Sequence, residues 1–315
     1  MVGHGIHGQG GLKRRLSPRP VSIGLIGLGP WGRNYLRTLQ EAPGVRLYAA
    51  TSRDADHASL VPPPTRWYAD WHDLLIDDRV QGVVIATPPP THAEIAVAAI
   101  ACGRPILVEK PLTSNVPGAH LIRLAAQAAG AIAHVDHIDV INPAWRAMRR
   151  EIPKVGTPQD FRGFWHAPGP YRPDTSGRWD WGPHAFAACL DVAHDVPRLT
   201  GCHRLPATQG ELIEARLAWA SGASATLVFG NGAETKQRRA IYRGSAGRLD
   251  FDATGIPRAS RDGRALVFCS ALRPLQAAVV RFAAAIRCGA PDHRDIDRAV
   301  GVVELLAEVD ARLAH

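Results

Sequence analysis

Several features that mark other classes of protein are missing from this sequence of 315 residues. Its five cysteines are widely spaced and include no C-x-x-C pair, which argues against a disulfide framework and a structural zinc site. No apolar run approaches the roughly 18 residues that span a bilayer. The histidines and acids form no ligand-like cluster, so we predict no metal site. We expect free thiols in a reducing cytoplasm.

Positive charge is unevenly distributed along the chain. The net charge is +8, of which Lys13, Arg14, Arg15 and Arg19 supply four charges within a first twenty residues that contain no acid. The remainder is mildly basic and lacks the cationic stripe with interleaved aromatics that is typical of a nucleic-acid surface. This balance suits an anionic small molecule such as a phosphate-bearing cofactor. We interpret residues 1–20 as a disordered tail and expect neither a nucleic-acid nor a membrane partner.

Apolar segments then alternate between strand and helix patterns, and the length suits two domains of about 150 residues each. Buried strands are predicted at residues 21–28, 45–51, 82–87, 105–109 and 131–135, and helices at 31–41, 71–76, 91–102 and 116–129. This alternation predicts a doubly wound parallel sheet, a Rossmann domain over residues 21–135. The strands are continuously apolar because helices cover both faces of such a sheet.

The pattern changes in the second part of the chain, residues 136–315. Helices are predicted at residues 142–151, 183–193, 272–287 and 296–313, with a strand at 161–166 and several more between 211 and 268. We therefore predict a substrate-binding and dimerisation domain of the α+β class, with an open and mostly antiparallel sheet.

A glycine-rich turn, G-L-G-P-W-G, directly follows the first predicted strand. Gly27 permits the tight turn, Gly29 lets the backbone approach a pyrophosphate, and Gly32 lets the next helix pack closely on the sheet. The positive end of that helix favours the phosphates. We predict a dinucleotide site that also includes Pro30 and Trp31, although Trp31 fits a core position between the domains equally well.

The end of the second strand bears on the choice between NAD and NADP. An NAD site places an acid there against the ribose 2′-hydroxyl, whereas this sequence has Ser52 and then Arg53. A hydroxyl followed by a guanidinium suits a 2′-phosphate, so we favour NADP. In the alternative, Asp54 takes the role of the acid and the cofactor is NAD.

Four blocks of sequence, in this order, are similar to the glucose-fructose oxidoreductase, inositol dehydrogenase and rhizopine-catabolism family (Gfo/Idh/MocA). They are GLIGLGPWGRN at 24–34, VVIATPPPTH at 83–92, ILVEKPL at 106–112 and WDWGPH at 179–184. The resemblance extends over the chain from residue 21. It implies hydride exchange between a nicotinamide and a sugar or cyclitol carbon, and a C-terminal sheet that makes the dimer interface.

The resemblance also implies roles for individual residues. Lys110 corresponds to the family's catalytic lysine, followed by a cis proline at Pro111, and Asp180 and His184 correspond to its D-x-x-x-H pair. His184 would act as the base, Lys110 would stabilise charge on the reacting oxygen, and Asp180 would orient the imidazole or bind a neighbouring hydroxyl. Taken alone, Lys110 and His184 also fit ordinary structural positions.

Further contacts are expected on both sides of the cavity. For the cofactor we predict Thr87, Pro88, His92, Glu109 and Lys110, although His92 is also explained as incidental to a helix cap by Thr91. For the substrate we predict His134, Asn142, Tyr171, Arg172 and Trp179. Ser52 in place of the acid, and Ala185 after His184 where an acid is frequent, depart from the family's common pattern.

These observations predict an NAD(P)-dependent dehydrogenase or ketoreductase that acts on a secondary alcohol or ketone of a sugar, nucleotide-sugar or cyclitol. We expect a homodimer or homotetramer that assembles through the C-terminal sheet. The alternative is a regulatory protein of the same fold that binds the nucleotide without catalysis, and a biliverdin-reductase-like enzyme ranks last.

Overall fold

The structure is a computed structural model that describes residues 19–171, 175–192, 195–268 and 272–314. Within these ranges the first sheet consists of β1 (Val21–Ile26), β2 (Val45–Thr51), β3 (Arg66–Tyr68), β4 (Gly82–Ile85), β5 (Ile106–Glu109) and β6 (Ala133–Asp136). All pairings are parallel, in the order β3-β2-β1-β4-β5-β6. The Rossmann prediction is confirmed. The sequence analysis missed β3, which is three residues long.

Helices connect these strands and cover the sheet. They are α1 (Gly32–Glu41), α2 (Trp71–Ile76), α3 (His92–Ala101) and α4 (Val116–Ala129). The strand order reverses between β1 and β4, which opens a crevice at the carboxyl ends of the strands where ligands bind in folds of this kind. In the part of the chain that the structure describes, no helix is both long and apolar enough to cross a membrane.

A second sheet, mostly antiparallel as predicted, forms the other half of the molecule. Its strands are β7 (Pro158–Pro168), β8 (Arg198–Leu205), β9 (Leu212–Ala218), β10 (Ser224–Gly230), β11 (Gly232–Gly244), β12 (Gly247–Asp252), β13 (Arg258–Arg261) and β14 (Arg264–Ala265). They lie in the order β14-β13-β12-β11-β7-β10-β9-β8, and only the β7–β10 pair among them is parallel.

Two helices, α5 (Ile138–Ile141) and α6 (Pro143–Glu151), lie between β6 and β7 along the chain, and a third, α7 (Gly177–Val192), connects β7 to β8. The prediction that the α7 segment begins at residue 183 was wrong, because Pro183 lies inside the helix rather than in its first turn. The earlier start places Asp180 and His184 on one helix, four residues apart and therefore on the same face.

The last two helices, α8 (Pro274–Cys288) and α9 (Arg294–Leu313), return to the first sheet. Phe282 of α8 is fully buried in a core shared with β1 and α1. Ile296 and Val303 of α9 belong to the core between α3, α4 and the first sheet, whereas Leu306 and Val309 belong to the core of the second domain. The helix α9 therefore packs against both domains, although the domain boundary predicted from the sequence places it in the second domain, residues 136–315.

Candidate active site

A cavity of about 770 Å³ lies at the carboxyl ends of the first sheet and is closed from the other side by α7 and β11. It brings together many of the residues predicted from the sequence: Gly29, Pro30, Trp31, Thr87, Pro88, Glu109, Lys110, Tyr171, Trp179, Asp180 and His184. Its wall also contains residues that the sequence analysis did not select: Asp136, Ile138, Trp181, Lys236 and Arg238.

The glycine turn has the geometry that a dinucleotide requires. Gly27 has φ +100, and a Cβ there would lie 2.7 Å from the Ala86 carbonyl oxygen. A Cβ on Gly32 would clash with the Gly27 carbonyl. At Gly29, in contrast, a Cβ would meet no protein atom within 4 Å, so this backbone faces the open cavity. Because α1 has neither a side-chain cap nor an acid in its first turn, its positive end is available to a pyrophosphate.

The end of β2 carries a cluster of side chains beside this turn. Ser52 Oγ lies 2.9 Å from His57 Nδ1, and Arg33 Nη2 lies 3.3 Å from His57 Nε2. Asp54 caps the short 3-10 helix Ala55–Leu60 by accepting a hydrogen bond of 3.0 Å from the Asp56 amide. Arg33 directly follows Gly32 and could have been selected from the sequence, whereas nothing in the sequence pattern distinguished His57.

Lys110 joins the two domains across the cavity. Its Nζ donates hydrogen bonds to the Asp180 carbonyl oxygen at 2.8 Å and to Asp180 Oδ1 at 2.9 Å. The Lys110–Pro111 peptide bond is cis, as the family resemblance implies. The Asp180 carboxylate thus binds Lys110, a contact that the sequence analysis did not anticipate, and its role toward the imidazole of His184 or a substrate hydroxyl stays a prediction.

The imidazole of His184 is buried and faces a different carboxylate. His184 Nδ1 lies 3.0 Å from Asp139 Oδ2, within ion-pair distance although the ring is turned from the best hydrogen-bonding angle. Burial and then the charge of Lys110 lower the pKa of His184 to about 4, and Asp139 opposes this change. His184 is therefore neutral at neutral pH and able to accept a proton.

Two buried carboxyl groups lie side by side under the cavity. Glu109 and Asp136 are register partners at the ends of β5 and β6, and the Tyr35 hydroxyl donates to Asp136 Oδ2. Burial raises the pKa of Asp136 to about 7. Burial and then the charge of Asp136 raise the pKa of Glu109 well above its usual range. Like charges this close disfavour double ionisation, so the pair retains a proton at neutral pH.

Seven of the described residues predicted as ligand contacts do not line the cavity: Gly27 and Gly32 in the glycine turn, Ser52 and Arg53 directly after β2, and three more. His92 is buried, with Nε2 2.8 Å from the Thr87 carbonyl oxygen and Nδ1 3.1 Å from that of Pro111, so its ring supports the cis-proline loop. His134 packs against the ring of Phe282 in α8. Asn142 caps α6 by accepting a hydrogen bond of 2.9 Å from an amide in its first turn.

The aromatic residues predicted near the cavity differ in their surroundings. Trp31 is 38% exposed at the cavity wall, which excludes the alternative of a core position between the domains. Trp179 Nε1 donates a hydrogen bond of 2.7 Å to Asp310 Oδ2 of α9. Tyr171 is exposed beside the cavity, and Arg172 lies outside the described residues.

Among the described side chains, no group of three or more His, Cys, Asp or Glu could hold a metal ion.

Comparison with known proteins supports the interpretation of these features. Residues 21–137 match the model of a family described as "Oxidoreductase family, NAD-binding Rossmann fold". The chain is 29% identical over 165 residues to an inositol 2-dehydrogenase of Rubrobacter xylanophilus, a match that covers 50% of this chain and 47% of the relative. The match thus spans about half the length of that curated relative.

A solved structure extends the similarity over most of the chain. A protein of Magnetospirillum magnetotacticum MS-1, assigned as an oxidoreductase, is 34% identical and has a TM-score of 0.82, with 91% of this chain and 99% of that chain covered. This chain belongs to the Gfo/Idh/MocA family. The family accounts for the glycine turn, the cis proline and the two-domain cavity together.

The fold of this Gfo/Idh/MocA protein is also close to that of more distant structures. A 3-ketoreductase of Actinomadura kijaniata, solved with NADP and TDP-benzene, is 20% identical with a TM-score of 0.80, over 94% of this chain and 98% of that chain. At this identity the comparison shows the shared fold alone.

The open backbone at Gly29 leads to a prediction about cofactor affinity. Gly29→Ala should fold normally, because its Cβ meets no protein atom, yet the methyl group would occupy the space into which a pyrophosphate fits. We expect the Kd for NADPH to rise about tenfold or more, measured by fluorescence titration. Gly201→Ala, at another glycine with open space, is the control and should bind normally. Equal affinities for the two variants would contradict the assignment.

The buried carboxyl pair predicts a dependence of stability on pH. The folded chain releases the Asp136 proton near pH 7 and the unfolded chain releases it at lower pH, so Asp136 lowers stability as the pH rises through this window. Asp136→Asn should therefore gain stability relative to the wild type between pH 5 and pH 8, measured by urea unfolding, since an amide oxygen still accepts from Tyr35. Asp78→Asn, at an exposed side chain, is the control for the loss of one acidic group. A difference that stays constant with pH would refute the prediction.

Proposed function

We propose that the protein is an NAD(P)-dependent oxidoreductase that exchanges a hydride with a secondary alcohol or ketone of a sugar, nucleotide-sugar or cyclitol. The observation that carries this proposal is the convergence of the glycine turn, Lys110 and His184 on one cavity. A nicotinamide bound there would supply the hydride acceptor or donor, with its pyrophosphate at Gly29 and the amino end of α1.

The side chains of this cavity suit the proton transfer that accompanies such a reaction. During oxidation, neutral His184 takes the proton of the substrate hydroxyl, and Lys110 donates a hydrogen bond to the oxygen as negative charge develops on it. Asp180 keeps Lys110 Nζ directed into the cavity through contacts of 2.8 and 2.9 Å. During reduction the proton returns along the same path, from protonated His184 to the substrate oxygen, while Lys110 keeps its hydrogen bond to that oxygen.

We further propose that NADP is the preferred cofactor. The guanidinium of Arg33 and the imidazole of His57 lie near Ser52 at the end of β2, where the adenosine ribose binds in this fold, and Arg53 is the next residue of the chain. Asp54 instead caps a 3-10 helix, which opposes its use as a ligand for a ribose diol. The cluster therefore suits a 2′-phosphate better than a 2′-hydroxyl.

The family and the polar wall of the cavity support this substrate class. Inositol 2-dehydrogenases are among the relatives that match about half of the chain, and Asp180, Lys236 and Arg238 offer partners for hydroxyl and anionic groups. We propose assembly as a homodimer or homotetramer through the second sheet. The cysteines that the structure describes are free, which fits a reducing compartment such as the cytoplasm.

The cofactor preference can be tested before a substrate is known. Energy transfer from the cavity tryptophans to the nicotinamide would report NADPH and NADH titrations, and we expect NADPH to bind about tenfold or more tightly. Ser52→Asp should reverse the order, because a carboxylate repels the 2′-phosphate. The remote exchange Arg258→Gln, at a side chain that is 77% exposed, is a control for lost charge. Tighter binding of NADH by the wild type would point to Asp54 and contradict the preference.

A test of the proposed reaction requires a screen of nucleotide-sugars, sugars and cyclitols as substrates, in which the absorbance of the nicotinamide reports turnover. For a substrate found in this way, Lys110→Met should keep its affinity for NADPH and lose about 100-fold or more in kcat. Lys154→Met, at an exposed lysine, should behave as the wild type. Turnover that survives in Lys110→Met would refute the assigned role. Cofactor binding by the wild type without turnover of any compound would instead favour the regulatory alternative.

A further inference from the structure

Asp139 is a buried carboxylate that neither the sequence motifs nor the proposed proton transfer uses. It lies in α5 and is only 3% exposed. Three groups surround it: Trp165 Nε1 donates to Oδ2 at 3.0 Å, Arg238 Nη1 donates to Oδ1 at 3.2 Å, and His184 Nδ1 lies 3.0 Å from Oδ2. Burying a charged carboxylate costs free energy unless both of its oxygens have hydrogen-bonding or charged partners, and these three groups supply them.

The second sheet supplies two of these partners from neighbouring strands. Trp165 of β7 and Arg238 of β11 stand opposite each other in register, so their side chains extend to the same face of the sheet. The guanidinium of Arg238 also lies over the ring of Trp181, at 5.4 Å from its centroid, and reaches the cavity wall. Asp139 is thus held from the sheet side while its remaining contact is with the imidazole on α7.

The charge of this group is maintained by its neighbours. Burial acts against ionisation of Asp139, but Arg238 and His184 more than offset it and hold the pKa of the carboxyl well below its usual range. An ionised carboxylate can only accept hydrogen bonds. A neutral imidazole next to it therefore places its single N–H on Nδ1 and leaves Nε2 without a proton.

We propose that Asp139 is the positioning residue for His184: it selects the tautomer that carries the proton on Nδ1, so that Nε2 is the atom that takes a proton from substrate. This inference rests on the proposed function for its role in turnover, but the tautomer itself can be observed without any substrate. The buried Trp165 and the partly buried Arg238 keep the carboxylate in the required place and charge state.

Each bond that breaks during the proposed oxidation is matched by one that forms. As the alcohol is oxidised, its O–H bond breaks, an Nε2–H bond forms and the freed electron pair becomes the second carbon–oxygen bond; a nicotinamide bound in the cavity would take the hydride from the carbon. The imidazole then carries a proton on each nitrogen and one positive charge. Asp139 stabilises that cation, whereas the charges of Lys110 and Arg238 oppose it. His137, which precedes α5, is buried nearby and its pKa is lowered to about 3, chiefly by burial, so it adds no charge at neutral pH.

The tautomer is measurable by nitrogen-15 NMR of histidine-labelled protein at neutral pH, with His184→Gln to identify the resonances. We expect the wild type to show Nδ1 protonated and Nε2 unprotonated. In Asp139→Asn the amide keeps the shape but can donate to Nδ1, so the proton should move to Nε2 in a large fraction of molecules. An unchanged pattern in Asp139→Asn would overturn the proposal.

A matched exchange separates tautomer selection from packing. Trp165→Phe removes a hydrogen bond to the same oxygen of Asp139 but leaves the carboxylate, so the wild-type tautomer should persist. With a substrate, Asp139→Asn should lose about 100-fold to 10,000-fold in kcat while the Kd for NADPH stays unchanged, as expected for a base in the wrong tautomer. Trp165→Phe should lose less than about tenfold. A similar loss in both variants would indicate a structural role alone and overturn the proposal.

A second variant covers the case in which Asp139→Asn does not fold. Arg238→Gln retains Asp139 and removes a positive charge near His184, so the pKa of His184 should rise. The nitrogen-15 shifts recorded against pH would show this as a protonation at higher pH, and a titration identical to the wild type would overturn the proposed electrostatic group. If the tautomer follows these expectations but no compound is turned over, the positioning role stands and the proposed oxidoreductase activity fails.

Discussion

The burial of α9 between two hydrophobic cores determines how the rest of the molecule is arranged. One stripe of this helix, including Ile296 and Val303, completes the core of the first domain, and another, including Leu306 and Val309, completes that of the second. Because α9 also packs along α7, it fixes the helix that carries Asp180 and His184 relative to the sheet that carries Lys110. Two large apolar surfaces thus hold Lys110 and Asp180 within hydrogen-bonding distance of each other across the cavity.

The local parts of this arrangement were predictable from the sequence. The glycine turn, the continuously apolar strands and the order of the first sheet depend on neighbouring residues and on a spacing that recurs in this fold. The short β3 was not predictable, because three residues carry too little pattern to distinguish a strand from a loop. The start of α7 was misplaced because a proline is usually read as a first-turn residue.

The contacts of the site were harder to predict because they join distant positions. Asp139 and Arg238 are 99 residues apart, and Asp139 and Trp165 are 26 apart. A histidine also has the same appearance in sequence whether it lines a cavity or supports a loop. His184 and His92 are both buried, but only His184 faces the cavity, and this difference arises from packing.

The position of α9 also affects how the chain can reach its native state. Residues 294–313 leave the ribosome after every element that they join, yet both cores are incomplete without them. The first sheet can form early, but its apolar surface under α8 and α9 stays exposed until the last helices arrive. The newly made first domain therefore passes through a period in which it is vulnerable to aggregation and proteolysis, and the cavity is assembled only when translation of these helices is finished.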